Sequence, residues 1–447
     1  MRHYTITTLG CKVNQCESAA LGHLLEERGF FQADDSNQPD VVIINTCTVT
    51  GRAAMQSRQA IRQAARRNPR AAIVVTGCYA QTAPDEITAI QDVDVIVGHE
   101  DKLAIGTILD QLFTDTPRPI LSHRHISACR QFAALPSVAA EGRTRAFLKI
   151  QDGCNTMCTY CIVPHARGRS RSMPLTDVMK HLQRLGNDGF REVVLTGIHL
   201  GAYGTDLDPP TALTHLLKEA LEQHCVDRIR LSSIEPTEID QPLIDLVADS
   251  RAGLCPHLHI PLQSGDDGIL ERMGRPYSRA QFGEIVRSIR NRLPRAAIGA
   301  DILVGFPGED EAAFEQTFSL IENLPVTYLH VFPFSPRKGT PAARFKNKVS
   351  EHVIKKRCGK LRRLGEQKKR DFFCTQIGQQ VKVLVETNAD AHTGLPKGLS
   401  DNYIPVLIAD ASAEINEMTE VVIETVATDM SVVGRTQSFT SDRPVCN

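Results

Sequence analysis

The chain has 447 residues, 42% hydrophobic and 23% charged, with 51 Lys and Arg against 52 Asp and Glu for a formal net charge of −1. Its length predicts two to four domains at ~100–200 residues each, and its apolar content excludes wholesale disorder. No apolar run approaches the ~18 residues of a membrane span, and MRHYTITTLGCKVNQ carries no secretory leader. A cytoplasmic protein with reduced thiols and no membrane partner is therefore expected.

Strand and helix patterns alternate over residues 1–113. HYTITTLG, VVIINT, AAIVVTG and DVDVIVG read as strands, with SAALGHLLEERGF and AAMQSRQAIRQAARRN as helices among them. Such alternation predicts an open parallel α/β sheet. Residues 114–142 carry Pro117, Pro119 and Pro136 without periodicity and read as a linker. Over 143–371 the runs FLKI, EVVLTG, RIRLSS, HLHIPLQ, AIGADILVGFP and VTYLHVF read as six strands, with helices such as PLTDVMKHLQRLGND and PTALTHLLKEALEQH between them. Six βα units suit an open barrel or a doubly wound sheet, and the pattern leaves both open. Over 374–440 VKVLVET, NYIPVLIA and VVIETVA follow one another without long helices, which predicts a small all-β barrel.

Thirteen cysteines, an odd number in a long chain with reduced thiols, point to metal binding or chemistry rather than to a disulfide framework. Cys154, Cys158 and Cys161 stand at CxxxCxxC spacing in CNTMCTYC, in a loop after the FLKIQDG strand. Iron–sulfur clusters are held mainly by cysteine thiolates, and three ligands leave one iron of a cubane cluster open, as catalytic zinc sites keep an open position. Structural zinc completed by a residue such as His165 is the alternative, although zinc ligands usually come as CxxC pairs. Cys11, Cys47 and Cys78 each lie just beyond an apolar strand, where an open parallel sheet binds its ligands. Free Cys is often a buried small hydrophobe, but three such placements in succession favour a shared site. Cys16, Cys129, Cys225, Cys255, Cys358, Cys374 and Cys446 show no ligand spacing and read as core or surface thiols.

CNTMCTYC resembles the signature of radical S-adenosylmethionine (SAM) enzymes, and TLGCKVNQ, NTCTVT and TGCYAQ resemble the three N-terminal cysteine motifs of the methylthiotransferases. The resemblance spans nearly the whole chain. It implies an α/β protein with an N-terminal methylthiotransferase domain, a central radical SAM core of the (βα)6 partial-barrel type and a C-terminal barrel similar to a TRAM domain. It also implies two 4Fe–4S clusters. Cys154, Cys158 and Cys161 would hold the cluster that binds SAM, and Cys11, Cys47 and Cys78 an auxiliary cluster that carries or donates sulfur. SAM contacts are expected from Tyr160, which precedes the last cysteine, and from Glu235, Gln263 and Asp301, which with TGIHLGAYG (Thr196 to Gly204) lie at or just beyond predicted strand ends, where a parallel βα barrel builds its site. TLGCKVNQ, NTCTVT and the MQSRQAIRQ helix are most similar to the type that modifies N6-threonylcarbamoyladenosine at position 37 of tRNA. The alternatives are isopentenyladenosine in tRNA, an aspartate of a ribosomal protein, and a non-catalytic metal-containing RNA-binding protein. An electron donor and a sulfur source are implied without being identified, and no catalytic side chain is assigned.

The charge pattern agrees with a nucleic-acid partner. Residues 337–370 hold fourteen Lys and Arg against Glu351 and Glu366, and Arg52, Arg58, Arg62, Arg66 and Arg67 recur without an acidic residue between them. Such segments favour phosphate neutralisation and salt-dependent binding. With aromatics at only 5% and no Trp, broad base stacking is not the expected mode. Recognition of a folded RNA by charge and shape, with one anticodon-loop base taken into the site, fits better.

Overall fold

The computed structural model describes residues 1–34, 37–112, 118–136, 142–249, 253–410 and 413–436; Pro117 and Cys446 lie outside them. The N-terminal region runs β1 (Arg2–Thr8), α1 (Lys12–Glu26), β2 (Phe30–Gln32), β3 (Val41–Thr46), α2 (Gly51–Arg67), β4 (Ala72–Gly77), α3 (Cys78–Thr82), α4 (Pro84–Thr88), β5 (Val95–Val97), α5 (Ile105–Leu112) and β6 (Ile120–Ser122). Its strands form one parallel sheet in the order β2-β1-β3-β4-β5-β6. Alternate residues of β3 and β4 serve opposite faces. Val41, Ile43 and Val74 pack with Leu21, Leu25 and Leu109, whereas Val42, Ile44, Ile73 and Val75 pack with Ile61 and Tyr79. Burial on both faces, at about 1.5–3 kcal/mol for each aliphatic side chain, is why these strands are unbroken apolar runs.

Two expectations change here. Helix α1 starts at Lys12, six residues before SAALGHLLEERGF, because its first turns carry polar residues such as Asn14 and Glu17 that are buried against other parts of the protein. The segment expected as a linker contributes the sixth strand, β6, which pairs with β5 at Val95↔Ile120. Three residues are too few to show a periodicity.

The central region follows with β7 (Arg145–Lys149), β8 (Gln151–Asp152), α6 (Val163–Arg167), β9 (Arg171–Ser172), α7 (Leu175–Asn187), β10 (Glu192–Thr196), α8 (Leu213–Glu222), β11 (Arg228–Leu231), α9 (Gln241–Ala248), β12 (His257–Gln263), α10 (Asp267–Met273), α11 (Arg279–Arg292), β13 (Ala297–Val304), α12 (Glu311–Asn323) and β14 (Tyr328–Pro333). The six main strands are parallel and lie in chain order, as β7-β10-β11 and β12-β13-β14. A bridge between Ile229 and Leu254 and the Ile234 N–H donating to the His259 carbonyl at 3.0 Å join the two halves. A doubly wound sheet would reverse its order at a switch point. Sequential order is that of a partial barrel, with no pairing between β7 and β14 among the described residues. Leu148, Val193, Leu195, Ile229, Leu258, Ile260, Ile298 and Ala300 belong to the large core shared with the helices. Alternation therefore turns Arg145, Lys149, Glu192, Arg230, His259 and Asp301 toward the barrel axis.

Helix α13 (Glu351–Cys374) leads to β15 (Gln380–Val385), β16 (Lys397–Ser400), β17 (Pro405–Ile408), β18 (Met418–Val426) and β19 (Val432–Thr436), which close into a barrel in the order β15-β16-β17-β19-β18. Val381, Val383, Val406, Ile408, Val421 and Ile423 fill it. No described helix is long and apolar enough to cross a membrane.

Buried charge joins these parts. Glu17 of α1 accepts from Lys149 of β7 at 3.0 Å and pairs with Lys102 and with Arg167 of α6. Arg167 also reaches Asp152 of β8 at 3.3 Å and donates to Asn14 Oδ1 at 2.6 Å. Burial alone would raise the Glu17 carboxyl, but Arg167, Lys102 and Lys149 hold it well below the ordinary carboxylate range. Removing one partner of a buried ion network costs roughly 3–5 kcal/mol. Glu17→Gln should therefore lower the unfolding midpoint in scanning calorimetry, while an exposed-pair control, Asp177→Asn, should change stability by no more than about 0.5 kcal/mol.

Candidate functional site

Cys11, Cys47 and Cys78 stand at the carboxyl ends of β1, β3 and β4. β1 and β3 are the strands between which the order reverses, since β2 lies on the other side of β1, and the crevice at such a switch point is where open α/β sheets bind ligands. Cys11 is the N-cap of α1, and Cys78 is the first residue of α3. Asn14 ties two strand ends together, its Nδ2 donating to the Leu9 carbonyl at 2.7 Å and the Thr46 carbonyl at 3.0 Å. Ser57 fixes Cys47 by accepting from its N–H at 3.1 Å and donating to its carbonyl at 2.9 Å. The packing leaves no room at Gly10, where φ is +101° and a Cβ would stand 2.9 Å from the Cβ of Cys47. Cys47 and Cys78 are buried and Cys11 is exposed. Burial pushes the Cys78 thiol up to about 11, against the pull of Arg167.

The second triad sits at the mouth of the partial barrel, in the loop after β8. Gly153 makes the turn with φ of +72°, and a Cβ there would collide with the Arg169 carbonyl at 1.9 Å. Gln151 braces the loop, donating to the Gly153 carbonyl at 2.8 Å while its Oε1 accepts from the His199 N–H at 2.7 Å. His199 Nδ1 lies 3.4 Å from Cys154 Sγ, and its Nε2 is 2.7 Å from a Glu238 carboxylate oxygen. Burial alone would raise Cys154, but the hydrogen bond and charge of His199 bring its thiol below the ordinary value. At Cys161 burial outweighs the Val163 N–H and the charge of Arg275, and the thiol is pushed up to about 12.

Each triad has a buried arginine donating to one of its sulfurs. Arg167 Nε lies 3.4 Å from Cys78 Sγ, and Arg275 Nη1 lies 3.3 Å from Cys158 Sγ. Arg275 also pairs with Glu235 and donates to Tyr277 Oη at 2.9 Å. Two sets of three thiols, each with a guanidinium N–H on sulfur, suit an anionic iron–sulfur cluster, whose potential is set partly by hydrogen bonds to its sulfurs. Neither triad gathers its sulfurs within 4.8 Å of one another, since the one such group among the described residues is His259, Asp301 and His330. A zinc–thiolate site would need about 3.8 Å between sulfurs, so the alternative of zinc with His165 does not fit this geometry.

The other expected residues divide. Tyr160 packs edge-on against Phe306, with centroids 6.4 Å apart, beside the second triad. Gln263 ends β12 with φ of +68°. Asp301 is not at a strand end. The strand continues to Val304, and the Asp301 carboxylate sits inside the barrel, 2.8 Å from His259 Nε2 and 3.2 Å from His330 Nδ1. Arg167, His199 and Arg275 escaped sequence reading because they are distant in sequence from the sulfurs they touch; His199 alone lay in a segment, TGIHLGAYG, read as site-forming.

The comparisons with known proteins agree with this geometry. The model described as "Uncharacterized protein family UPF0004" matches residues 3–98, and that of the Radical SAM superfamily matches residues 148–321. Threonylcarbamoyladenosine tRNA methylthiotransferase MtaB of Bacillus subtilis is 40% identical over 93% of this chain and 92% of its own length. The chain belongs to the radical SAM methylthiotransferases. The MtaB of Aquifex aeolicus is 36% identical over 93% of this chain and 98% of its own. The tRNA-2-methylthio-N(6)-dimethylallyladenosine synthase of Corynebacterium glutamicum is 32% identical over 90% of this chain and 78% of its own. Among solved structures, the radical SAM methyltransferase TsrM of Kitasatospora setae, with tryptophan substrate and a SAM analogue bound, shares the fold with a TM-score of 0.57 at 16% identity, over 87% of this chain and 79% of that one. Membership implies a 4Fe–4S cluster and SAM, and the donor sets above fit the former.

The positive surface is smaller than the number of basic residues in the sequence suggests. In α13, Arg357 is buried on Glu309, while Lys368 and Arg370 donate to the carbonyls of Leu324 and Thr428. Lys355, Lys356 and Arg363 stay exposed, as do Arg52, Arg62, Arg66 and Arg67 of α2, whereas Arg58 pairs with Glu86 at 3.6 Å. Arg337 donates to Thr48 Oγ1 at 2.7 Å, in the loop after Cys47.

An N–H donor on sulfur favours the reduced, more negative cluster. If Cys154, Cys158 and Cys161 hold a cluster, Arg275→Met should move its midpoint potential to a more negative value in an EPR-monitored redox titration of the reconstituted protein.

Proposed function

We propose that this chain converts N6-threonylcarbamoyladenosine at position 37 of tRNA, in the anticodon loop, to its 2-methylthio derivative. The observation that carries the reading is Arg167. It lies six residues beyond Cys161 in the chain, and its Nε reaches Cys78 Sγ at 3.4 Å. The loop of one cysteine triad thus leans on the other, as a reaction joining radical chemistry to sulfur insertion requires. The names of the relatives supply the substrate.

In this reading Cys154, Cys158 and Cys161 hold one 4Fe–4S cluster, and Cys11, Cys47 and Cys78 hold a second. The bound cofactors supply one-electron chemistry, sulfur and a methyl group, needed because an unactivated aromatic C–H offers no acidic proton. His199 favours the thiolate form of Cys154, and Arg275 and Arg167 offset negative charge on the sulfurs. Tyr160, Glu235, Gln263 and Asp301 are proposed to meet SAM. Supporting this, Tyr160 and Glu235 adjoin the Cys158–Arg275 pair; Asp301 would act through the barrel interior. Exposed cations of α2 and α13 would neutralise tRNA phosphates. An electron donor and a sulfur source complete the system.

Nucleoside mass spectrometry tests the reading after anaerobic reaction with SAM and a reductant, offering one tRNA pool that is threonylcarbamoylated and one that is isopentenylated. A methylthio gain on the first alone is expected. A gain on the second alone keeps the chemistry and overturns the substrate. In the same assay a Cys11→Ala/Cys47→Ala/Cys78→Ala variant should still release 5′-deoxyadenosine yet add no methylthio group. Lys355→Gln/Lys356→Gln/Arg363→Gln should weaken tRNA binding across sequences and flatten the slope of log K against log salt by roughly 0.7–0.9 for each phosphate no longer neutralised.

A further inference from the structure

The interior of the partial barrel carries positive charge that the protein itself does not neutralise. Arg228 and Arg230 share Glu192, and Arg145 pairs with Glu386 at 3.0 Å. Lys12, the first residue of α1, projects into the same group. It lies one helical turn from Cys16, whose Sγ is 3.5 Å from the Phe147 carbonyl of β7, so its helix face is turned toward the open side of the barrel. Its charge is felt by His257 across the lumen, and the charged side chains that act on it most strongly are Arg230, Arg145 and Glu192. No hydrogen bond or ion pair joins the Lys12 amine to any described residue. Glu192, the carboxylate that acts on it most, is already held by two arginines, and Asp301 within the barrel is taken by His259 and His330. Arg145 also lines a cleft of about 370 Å³ with Tyr328, His330, Lys369 and Tyr403, and no acidic residue lines it.

A partly buried cation without a counter-ion, among other cations, is a receptor for an anion. Lys12 directly follows Cys11 in the chain, so the anion it meets lies close to the atom that receives sulfur. On the substrate, C2 and C6 of the adenine ring flank one nitrogen, and the N6 substituent is therefore carried past C2 on the same edge. Threonylcarbamoyl ends in a free carboxylate; an isopentenyl group has no charge. We propose that Lys12 is the specificity-determining residue that pairs with the threonyl carboxylate. The assignment rests on the substrate reading above.

The test is equilibrium binding of anticodon stem-loops to the full chain, anaerobically reconstituted with SAM present, measured by fluorescence anisotropy. Three loops of one sequence are compared. They carry threonylcarbamoyladenosine, its methyl ester or plain adenosine at the target position. All share the same phosphates, so differences report the substituent alone. The free acid should bind about 10- to 100-fold tighter than the ester, the range of a charge-assisted hydrogen bond. Lys12→Gln should remove that ratio, and Lys12→Arg should keep it, with iron content unchanged in both. A wild-type chain that favours acid and ester equally over plain adenosine overturns the Lys12 assignment and leaves the substrate reading standing. So does an acid-over-ester ratio that survives Lys12→Gln. A wild-type chain that binds all three loops alike overturns both.

Discussion

A guanidinium removed from water must be surrounded by acceptors and anions, and Arg167 finds them only where two parts of the chain meet. Its partners are Asn14, Glu17 and Cys78 on one side and Asp152 on the other. Arg167 closes α6, which opens two residues after Cys161, so satisfying this one side chain fixes how the sheet carrying three cysteines sits against the loop carrying the other three. Lys149 and Lys102 converge on the same carboxylate. Removing any single partner from such a network is expensive because every remaining charge is left in a low-dielectric setting. The arrangement thus ties orientation, which the chemistry needs, to burial, which folding needs.

The same logic recurs at the other end of the barrel. Glu192 holds Arg228 and Arg230, whose remaining N–H groups donate to the carbonyls of Lys382 and Leu399 at 2.8 Å, and of Ser400 and Asp401 at 3.0 Å. Backbone acceptors of the C-terminal barrel are thereby joined to the first residues of β10 and β11. Tyr403 stacks on His257 with centroids 4.1 Å apart, below Tyr328. The C-terminal barrel acts as a floor to the lumen, and its junction is built on arginine forks whose planar geometry a lysine would not reproduce.

Much of this was legible in the sequence, for identifiable reasons. Strands β3 and β4 are read correctly because burial on both faces leaves no polar residue to interrupt them. The placement of Cys11, Cys47 and Cys78 just past three strands is legible because position relative to a strand end is a property of the chain itself. The start of α1 was obscured by Asn14 and Glu17, which are polar yet buried, a combination that makes sense only once Arg167 is in place. Strand β6 was missed because three residues carry no period. The basic residues of α13 overstated its surface, since Arg357 lies over Phe314 and on Glu309, and no periodicity separates a cation that packs from one that faces solvent. Arg275 was invisible because its partner, Cys158, lies more than a hundred positions away.

The two cysteine sets differ in how far apart their members lie along the chain. Cys154, Cys158 and Cys161 fall within one loop, so a few residues need to be ordered before all three thiols face one another. Cys11, Cys47 and Cys78 come from the ends of three strands, and they meet only when the parallel sheet between them is paired, a non-local event with the larger loop-closure entropy. If both sets hold clusters, as proposed, maturation acquires an order, since ligand assembly and folding are coupled wherever a site is absent from the unfolded chain. The local set can be metallated on a partly folded or still-emerging chain, whereas the dispersed set has to wait for the finished domain. A cell making such a protein would then face two delivery problems at two different times.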